Sequence, residues 1–189
     1  MIARVLRWVL GVGVLSLAVA VPAQANQWKV DYAKSDLMFV SKQMNVPVNG
    51  MFRQFQVALQ FDPARPETSR AQVEIDMHSI TTGIDDADEE AKTATWLDVA
   101  TYPTASFVST SVNRVDADRY TATGALTIKG TTKTATLPFA IKPLPGGALQ
   151  LVGEYTMKRL DFNVGGGVWG DTSVVANEVK LRYKLLLLP

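Results

Sequence analysis

Six stretches of the sequence alternate apolar and polar residues with a period of two. They span residues 54–61, 71–78, 120–129, 135–141, 149–157 and 175–187. Successive side chains of a β-strand point to opposite faces of a sheet, so each stretch predicts a strand with one buried and one solvated face. The chain is therefore predicted to be all-β in its main part.

Short, turn-like segments separate these stretches. They lie at residues 62–66, 116–118, 129–131 and 145–147, where Asp, Pro and Gly are concentrated. A parallel crossover needs a dozen or more residues, so these breaks favour antiparallel neighbours. Many strands at this spacing are typical of a sandwich or a barrel, and only a closed barrel leaves no exposed edge. Alternation alone does not distinguish a filled barrel of about eight strands from one that holds a small ligand.

One segment departs from the alternation. Residues 85–97 read DDADEEAKTATWL, with acids at the start and Lys92 four positions after Asp88. Acidic residues are favoured at helix N-termini, and an i,i+4 pair of opposite charges adds support. We expect one short inserted helix over 85–97, packed onto the barrel by Trp96 and Leu97.

Residues 1–25 have the organisation of a secretory signal peptide. Two arginines precede an apolar run over residues 8–21, and an A-x-A segment follows at 23–25. The run is about 14 residues long, whereas a bilayer span needs roughly 18 or more, so a retained anchor is the weaker alternative. We expect residues 26–189 to form a single periplasmic domain, exported by a cleavable signal.

Composition excludes several classes of function. The net charge is +1, and removal of the two N-terminal arginines leaves −1, so no overall field attracts nucleic acid or an anionic membrane. The chain has no cysteine, which excludes a lipoprotein anchor, disulfides, thiol catalysis and thiolate metal sites. Packing alone must hold the domain together.

The sequence contains few residues suited to catalysis or metal binding. His78 is the only histidine, and its position predicts the polar face of a strand. The acids at 85–90 lack the spacing and glycine of an EF-hand, and a solvated helix start explains them better. The glycine-rich segment at 165–170 has no phosphate-loop lysine and is interpreted as a flexible loop at a barrel mouth, with Trp169 as a lid or packing residue. We therefore expect no metal and no cofactor.

A set of short motifs runs along nearly the whole of residues 26–189. The motifs are WKVD at 28–31, SDLMF at 35–39, VNGMF at 48–52, SITTG at 79–83, YPTASF at 102–107, GALTIKG at 124–130 and RLDFNV at 159–164. Each motif is weak alone, but their order and spacing together are specific, and they resemble the YceI-like family.

The resemblance implies a lipocalin-like antiparallel barrel with an elongated apolar channel. It also implies a non-enzymatic, periplasmic protein that binds a long-chain isoprenoid lipid or an isoprenoid quinone. Many members carry Asp-x-His-Leu after the Thr-Gly motif, but residues 85–90 here contain no histidine. The Trp-Leu-Asp segment at 96–98 and the late glycine-rich loop resemble a branch associated with cytochrome b561-type neighbours.

Candidate ligand-binding residues follow from the inward face of the predicted strands, with simple core packing as the alternative for each. Arg159, and less firmly Arg53, are candidates for a polar headgroup, and an ion pair with Asp161 is the alternative for Arg159. The predicted ligand-binding residues are Phe39, Phe55, Val57, Leu59, Ile75, Met77, Phe107, Leu126, Ile128, Leu137, Phe139, Leu151, Tyr155, Arg159, Trp169, Val179 and Leu181.

Two other functions stay open at this point. An enzyme acting on a bound lipid would need His78 or buried acids such as Asp161 inside the cavity. An accessory subunit docking on a membrane redox protein would need an exposed apolar patch, with Trp96 and Trp169 as candidates. The leucines at 185–188 fall on both strand faces, which indicates burial on both sides or a homodimer contact.

Overall fold

The computed structural model describes residues 27–189 as one antiparallel sheet of 11 strands with one α-helix. The predicted signal segment lies outside the described residues. Within residues 27–189, none of the helices is long and apolar enough to cross a membrane. The strands are β1 (Gln27–Val30), β2 (Asp36–Gln43), β3 (Val46–Phe52), β4 (Phe55–Gln60), β5 (Arg70–Asp76), β6 (Ile80–Thr81), β7 (Thr104–Arg114), β8 (Arg119–Ile128), β9 (Thr131–Pro143), β10 (Leu149–Lys158) and β11 (Glu178–Leu188).

Eight of these strands close into a barrel through the short strand β1. Trp28 pairs with Leu59 of β4, and Val30 pairs with Leu187 of β11. The ring then runs β1–β4–β5–β7–β8–β9–β10–β11 and returns to β1. The predicted antiparallel barrel of about eight strands is confirmed.

The three remaining strands extend from the barrel wall. β2 pairs with residues 180–184 of β11, β3 pairs with β2, and β6 pairs with the end of β3. The β2–β3 hairpin turns through Met44 and Asn45, both with positive φ, of 50° and 64°. Two central residues with positive φ are characteristic of a type I′ turn, whose twist matches that of the strands it joins.

The predicted strand segments all contain strands, with two corrections at their ends. β5 ends at Asp76, so His78 lies in a short 3-10 turn over 77–79 rather than on a strand. β11 begins at Glu178 rather than near 175, since Val175 makes only an isolated bridge to Gln43.

The inserted helix is shorter than predicted. Helix α1 spans Asp85–Lys92, and the Thr93 hydroxyl then bonds the carbonyl of Glu90 and ends it. Trp96 and Leu97 come after the helix, in turns, because Thr93 and Thr95 are β-branched and the chain must bend there toward the barrel. Leu97 is nevertheless buried, so its predicted packing role is confirmed.

An aromatic cluster closes the barrel at the end where β1 and β11 meet. The ring of Phe61 lies edge-on to Tyr120 and to Phe139, with centroid distances of 5.2 and 5.8 Å. Phe61 and Tyr120 are 1% and 3% exposed, and Leu187 beside them is 0% exposed. Aromatic pairs of this geometry contribute about 0.5–1.5 kcal/mol beyond their buried area, so this end forms a solid core.

The leucines at 185–188 are explained by this end of the barrel. Leu185 and Leu187 face the interior and are buried, whereas Leu186 lies on the outer face. The Leu186 backbone bonds Asp31 and the Ser35 hydroxyl, so the segment after β1 partly covers that outer face. Leu186 is thus half-buried, whereas Leu188 on the same outer face is 38% exposed, and the homodimer contact stays a prediction.

Gly153 of β10 allows Tyr183 of β11 to lie flat across the sheet. A Cβ at position 153 would stand 2.2 Å from the Tyr183 ring and 2.4 Å from the Pro138 carbonyl. The Tyr183 hydroxyl donates to that carbonyl at 2.5 Å, and burial raises the pKa of Tyr183. The absence of a side chain at Gly153 thus lets one tyrosine tie β11 to β9.

We expect Gly153→Ala to destabilise the protein by about 1–3 kcal/mol, because the added methyl must displace the tyrosine ring or the strand. Gly166→Ala is the matched control, since a Cβ there meets nothing within 4 Å and its φ of −81° suits any residue. Urea unfolding of both variants checks this, and equal free energies of unfolding would contradict it.

Candidate binding cavity

The middle of the barrel is lined by apolar side chains that stay partly exposed although they point inward. Strand register places these side chains on the same face as the buried core, and they pack against it. In a barrel filled by its own side chains such residues would be inaccessible, as Phe61 and Leu187 are at the closed end. The middle of this barrel is therefore covered less completely than its closed end. The residues concerned are Phe39, Phe52, Phe55, Val57, Val73, Ile75, Leu137, Tyr155, Val179 and Leu181.

Most of the predicted ligand-binding residues face this interior. Eight of them line its partly exposed middle: Phe39, Phe55, Val57, Ile75, Leu137, Tyr155, Val179 and Leu181. Others belong to the fully buried core, which is the packing alternative: Leu59, Met77, Phe107, Leu126, Ile128, Phe139 and Leu151. Their roles in ligand contact stay predictions.

Two further lining residues were not predicted from the sequence. Val73 follows the same alternation as Ile75 and pairs with Val57, so its register position was visible in the pattern. Phe52 lies at the end of β3, and its ring is 5.7 Å from that of Phe39. No alternation marks β3, because its polar face is interrupted by Pro47 and Met51.

The barrel wall has a seam between β9 and β10. Their ladder ends at the pair Gly153 and Phe139, whereas β9 continues to pair with β8 as far as Thr131. β10 likewise continues along β11 to Lys158. Over this stretch β9 and β10 separate, with Leu137 and Tyr155 on the inner side.

A second seam lies between β4 and β2. β4 pairs with β1 only at Leu59 and Gln60, and the Val57 amide instead donates to the Tyr32 hydroxyl at 3.1 Å. The Tyr32 ring stands edge-on to Phe55 at 5.5 Å. The wall beside Phe55 and Val57 is thus closed by one tyrosine rather than by a strand ladder.

Arg159 organises the loop that covers the other end of the barrel. It follows β10 directly and is 1% exposed. A guanidinium has five N–H donors, and each of these donates to a backbone carbonyl. The five acceptors are the carbonyl oxygens of Val164, Gly165, Trp169, Val175 and Ala176.

This arrangement bears on the predicted headgroup role of Arg159. Burial lowers the pKa of the guanidinium, but arginine stays protonated in proteins. The predicted alternative, an ion pair with Asp161, is wrong: Asp161 is exposed, and no carboxylate of residues 27–189 lies within 4.0 Å of Arg159. With every donor engaged, headgroup binding would require the loop to open. Arg53, the second candidate, is exposed in the β3–β4 turn.

Trp96 and Trp169 pack against each other beside Arg159. Their ring centroids are 5.7 Å apart, and both indole N–H groups donate to the same oxygen of Glu90, at 3.1 and 3.0 Å. The Arg159 guanidinium lies over the Trp96 ring at 5.5 Å. Both tryptophans are half-buried and Val168 beside Trp169 is 88% exposed, so the exposed apolar patch stays a prediction, while Trp169 packs on Trp96.

Lys129 reinforces the same end. Its ammonium donates to the carbonyls of Ala94, Thr95 and Asn163 at 2.7, 3.3 and 2.9 Å, and burial lowers its pKa. Lys129 and Arg159 thus bind backbone carbonyls of the two segments, 93–98 and 163–176, that fold over this end. We name these two segments the cap.

Comparison with known proteins fits this geometry. Residues 28–187 match the YceI-like domain. The chain belongs to the YceI-like family. It is 31% identical over 137 residues to a UPF0312 protein of Azotobacter vinelandii, covering 70% of this chain and 69% of that protein. It is 33% identical over 120 residues to Protein YceI of Escherichia coli, covering 61% of this chain and 62% of that protein.

Solved structures show the same fold. The crystal structure of BcnA from Burkholderia cenocepacia superposes with a TM-score of 0.81 at 40% identity, covering 84% of this chain and 99% of BcnA. A polyisoprenoid binding domain from Saccharophagus degradans has a TM-score of 0.66 at 19% identity, covering 85% and 97% of the two chains. The YceI-like barrel inferred from the motifs is therefore confirmed.

We expect Arg159→Met to destabilise the protein by about 3 kcal/mol or more, because five buried carbonyls lose their donor. Arg182→Met is the matched control: Arg182 is exposed and pairs with Glu154 on the outer wall, so its loss costs about 1 kcal/mol or less. Chemical denaturation measures both, and a loss at Arg159 no larger than at Arg182 would refute the structural role.

Proposed function

We propose that the protein binds one long isoprenoid chain, of a polyprenyl lipid or an isoprenoid quinone, inside the barrel. The observation that carries this proposal is the apolar, partly exposed interior between the aromatic cluster of Phe61, Tyr120 and Phe139 and the cap. A surface of this kind is stable in water only if its exposed area is small or a ligand covers it.

The chemistry of the interior favours an extended hydrocarbon over a polar ligand. Transfer of each CH₂ from water contributes about 0.8 kcal/mol, so a long chain binds without specific polar contacts. The inward-facing hydroxyl of Tyr155 is one polar group at the β9–β10 seam, where a headgroup would emerge. The relation to a domain described as polyisoprenoid-binding supports the isoprenoid class.

Binding rather than catalysis is the proposed activity. His78 is exposed in the turn after β5, and Asp161 is exposed in the short 3-10 turn after β10. Both side chains are exposed to solvent, so neither is the buried general base that the alternative enzyme function would need. The interior residues provide burial and shape.

We propose further that the protein acts as a carrier in the periplasm. This part rests on the signal-like segment at residues 1–25 and on the need of a lipid to be shielded when it leaves a membrane. A soluble barrel with openings in its wall meets that need.

The direct test is native mass spectrometry of the protein exported with its own N-terminal segment, followed by extraction and lipid analysis. We expect a prenyl lipid or quinone at one per chain. A protein that stays empty, also after incubation with such lipids, would refute the binding function.

A pair of substitutions tests whether the middle of the barrel is unfilled. We expect Val57→Phe to leave the free energy of unfolding within about 1 kcal/mol, whereas Val112→Phe at a filled position costs about 1–3 kcal/mol through overpacking. Val112 is 2% exposed, and Val57 lies in the partly exposed middle.

The same pair separates stability from binding. Val57→Phe should reduce the binding of a fluorescent prenyl probe, because the added ring occupies the space of the chain. Equal destabilisation by both substitutions, with unchanged probe binding by Val57→Phe, would mean that the middle is a filled core.

A further inference from the structure

The tip of the β2–β3 hairpin exposes apolar side chains. Met44 is 72% exposed and Val46 is 63% exposed. Val174, which lies on the cap and accepts a backbone hydrogen bond from Met44 at 2.7 Å, is 38% exposed. We name these three residues the tip patch.

The turn that presents Met44 uses a residue poorly suited to it. Type I′ turns strongly prefer Asn-Gly, because both central residues have positive φ. Asn45 fits this preference, but Met44 holds a φ of 50° with a side chain that contacts solvent. A strained backbone that places an apolar side chain at an exposed tip indicates a function for that side chain.

The tip is held in place by the cap. The Ala176 amide donates to the Lys42 carbonyl at 2.9 Å, and Val175 bridges Gln43. The carbonyls of Val175 and Ala176 are two of those bound by Arg159. The hairpin tip is therefore connected, through backbone bonds, to the most buried charged group among the described residues.

One face of the hairpin continues from the tip patch into the barrel. Strand register puts Val46, Val48 and Phe52 on the same face of the sheet as Phe39, which is the inner face of β2. Between them Gly50 leaves room for the ring of Phe39, since a Cβ there would stand 2.2 Å from that ring. An apolar track thus runs from an exposed valine at the tip to the partly exposed interior.

We propose that the hairpin tip inserts into the surface of a lipid bilayer and that its inner face guides the isoprenoid chain between bilayer and barrel. The second half of this proposal rests on the proposed function; the first half does not. The tip fits a fluid partner, because a stable protein interface buries about 800 Å² on each side, far more than three side chains at a convex turn. Lys42 beside the tip has no carboxylate within 4.0 Å among residues 27–189 and suits lipid phosphates.

Vesicle flotation tests the docking step. The protein is exported with its own N-terminal segment, and its mass is determined. It is then mixed with phosphatidylethanolamine–phosphatidylglycerol vesicles. We expect Met44→Gly to weaken the association about tenfold, because the side chain that enters the lipid is lost. Val115→Gly is the matched control: Val115 is 64% exposed in the β7–β8 turn at the opposite end of the barrel and should leave the association unchanged.

The thermal stability of Met44→Gly shows whether misfolding causes its weaker vesicle association. Glycine adopts positive φ readily, so the thermal midpoint of this variant should equal or exceed that of the parent protein. Met44→Leu, which keeps an apolar side chain, should retain vesicle binding. Equal vesicle association of the parent protein, Met44→Gly and Val115→Gly would overturn the proposal.

A transfer assay tests the guiding step separately. A fluorescent prenyl lipid is supplied either in vesicles or from dilute solution. We expect Met44→Gly to slow uptake from vesicles about tenfold and to leave saturation binding from solution unchanged. Loss of prenyl-lipid binding from both sources by Met44→Gly would refute the guiding role. A parent protein that binds vesicles but no prenyl lipid would refute the proposed function and leave the docking step intact.

Discussion

Closure of the barrel depends on the four residues of β1. A ring of eight strands needs every wall position filled, and β2, the strand that follows β1 in sequence, pairs with β11 and β3 but not with β4. β1 bridges β4 and β11 at the closed end, and the Trp28 indole donates to the Phe61 carbonyl at 2.9 Å. Without this bridge the aromatic cluster behind it would face water, and two strand edges would be open to pairing.

The interior follows from that closure. Eight strands enclose a space that side chains fill only if they are large and meet across it. Aromatic rings do so at the end near β1, whereas farther along the inward side chains, such as the neighbouring Val57 and Val73, stay partly exposed. The wall is completed there by single contacts, such as Tyr32 on Val57 and Tyr183 on Pro138, rather than by ladders. The same geometry thus leaves both the inward side chains and the wall incompletely covered in this part of the barrel.

The alternation in sequence was sufficient to predict the strands that have one buried and one wet face, and with them the barrel. It did not mark β2, where Met38 and Val40 on the outer face are as apolar as Leu37 and Phe39 on the inner face. In β7 a shift of register between Ser109 and Ser111 moves Val112 to the inner face and breaks the period. Most of the lining residues could be predicted, because they follow from alternation. The hydrogen bonds of Arg159 could not be predicted. Its five acceptor carbonyls lie 5 to 17 positions away in irregular backbone that shows no sequence pattern.

The carbonyls around Arg159 have a consequence for how the cap moves. A buried cation without a counter-ion is tolerated only while all its acceptors are in place, and removal of one leaves both a carbonyl and a donor unpaired. Partial fraying of residues 164–176 is therefore costly at each step, although much of this loop is exposed. The segment should open as one cooperative unit or not at all, with its amide protons exchanging together. Because Met44 and Lys42 bond to the same segment, the hairpin tip would be released in that same event.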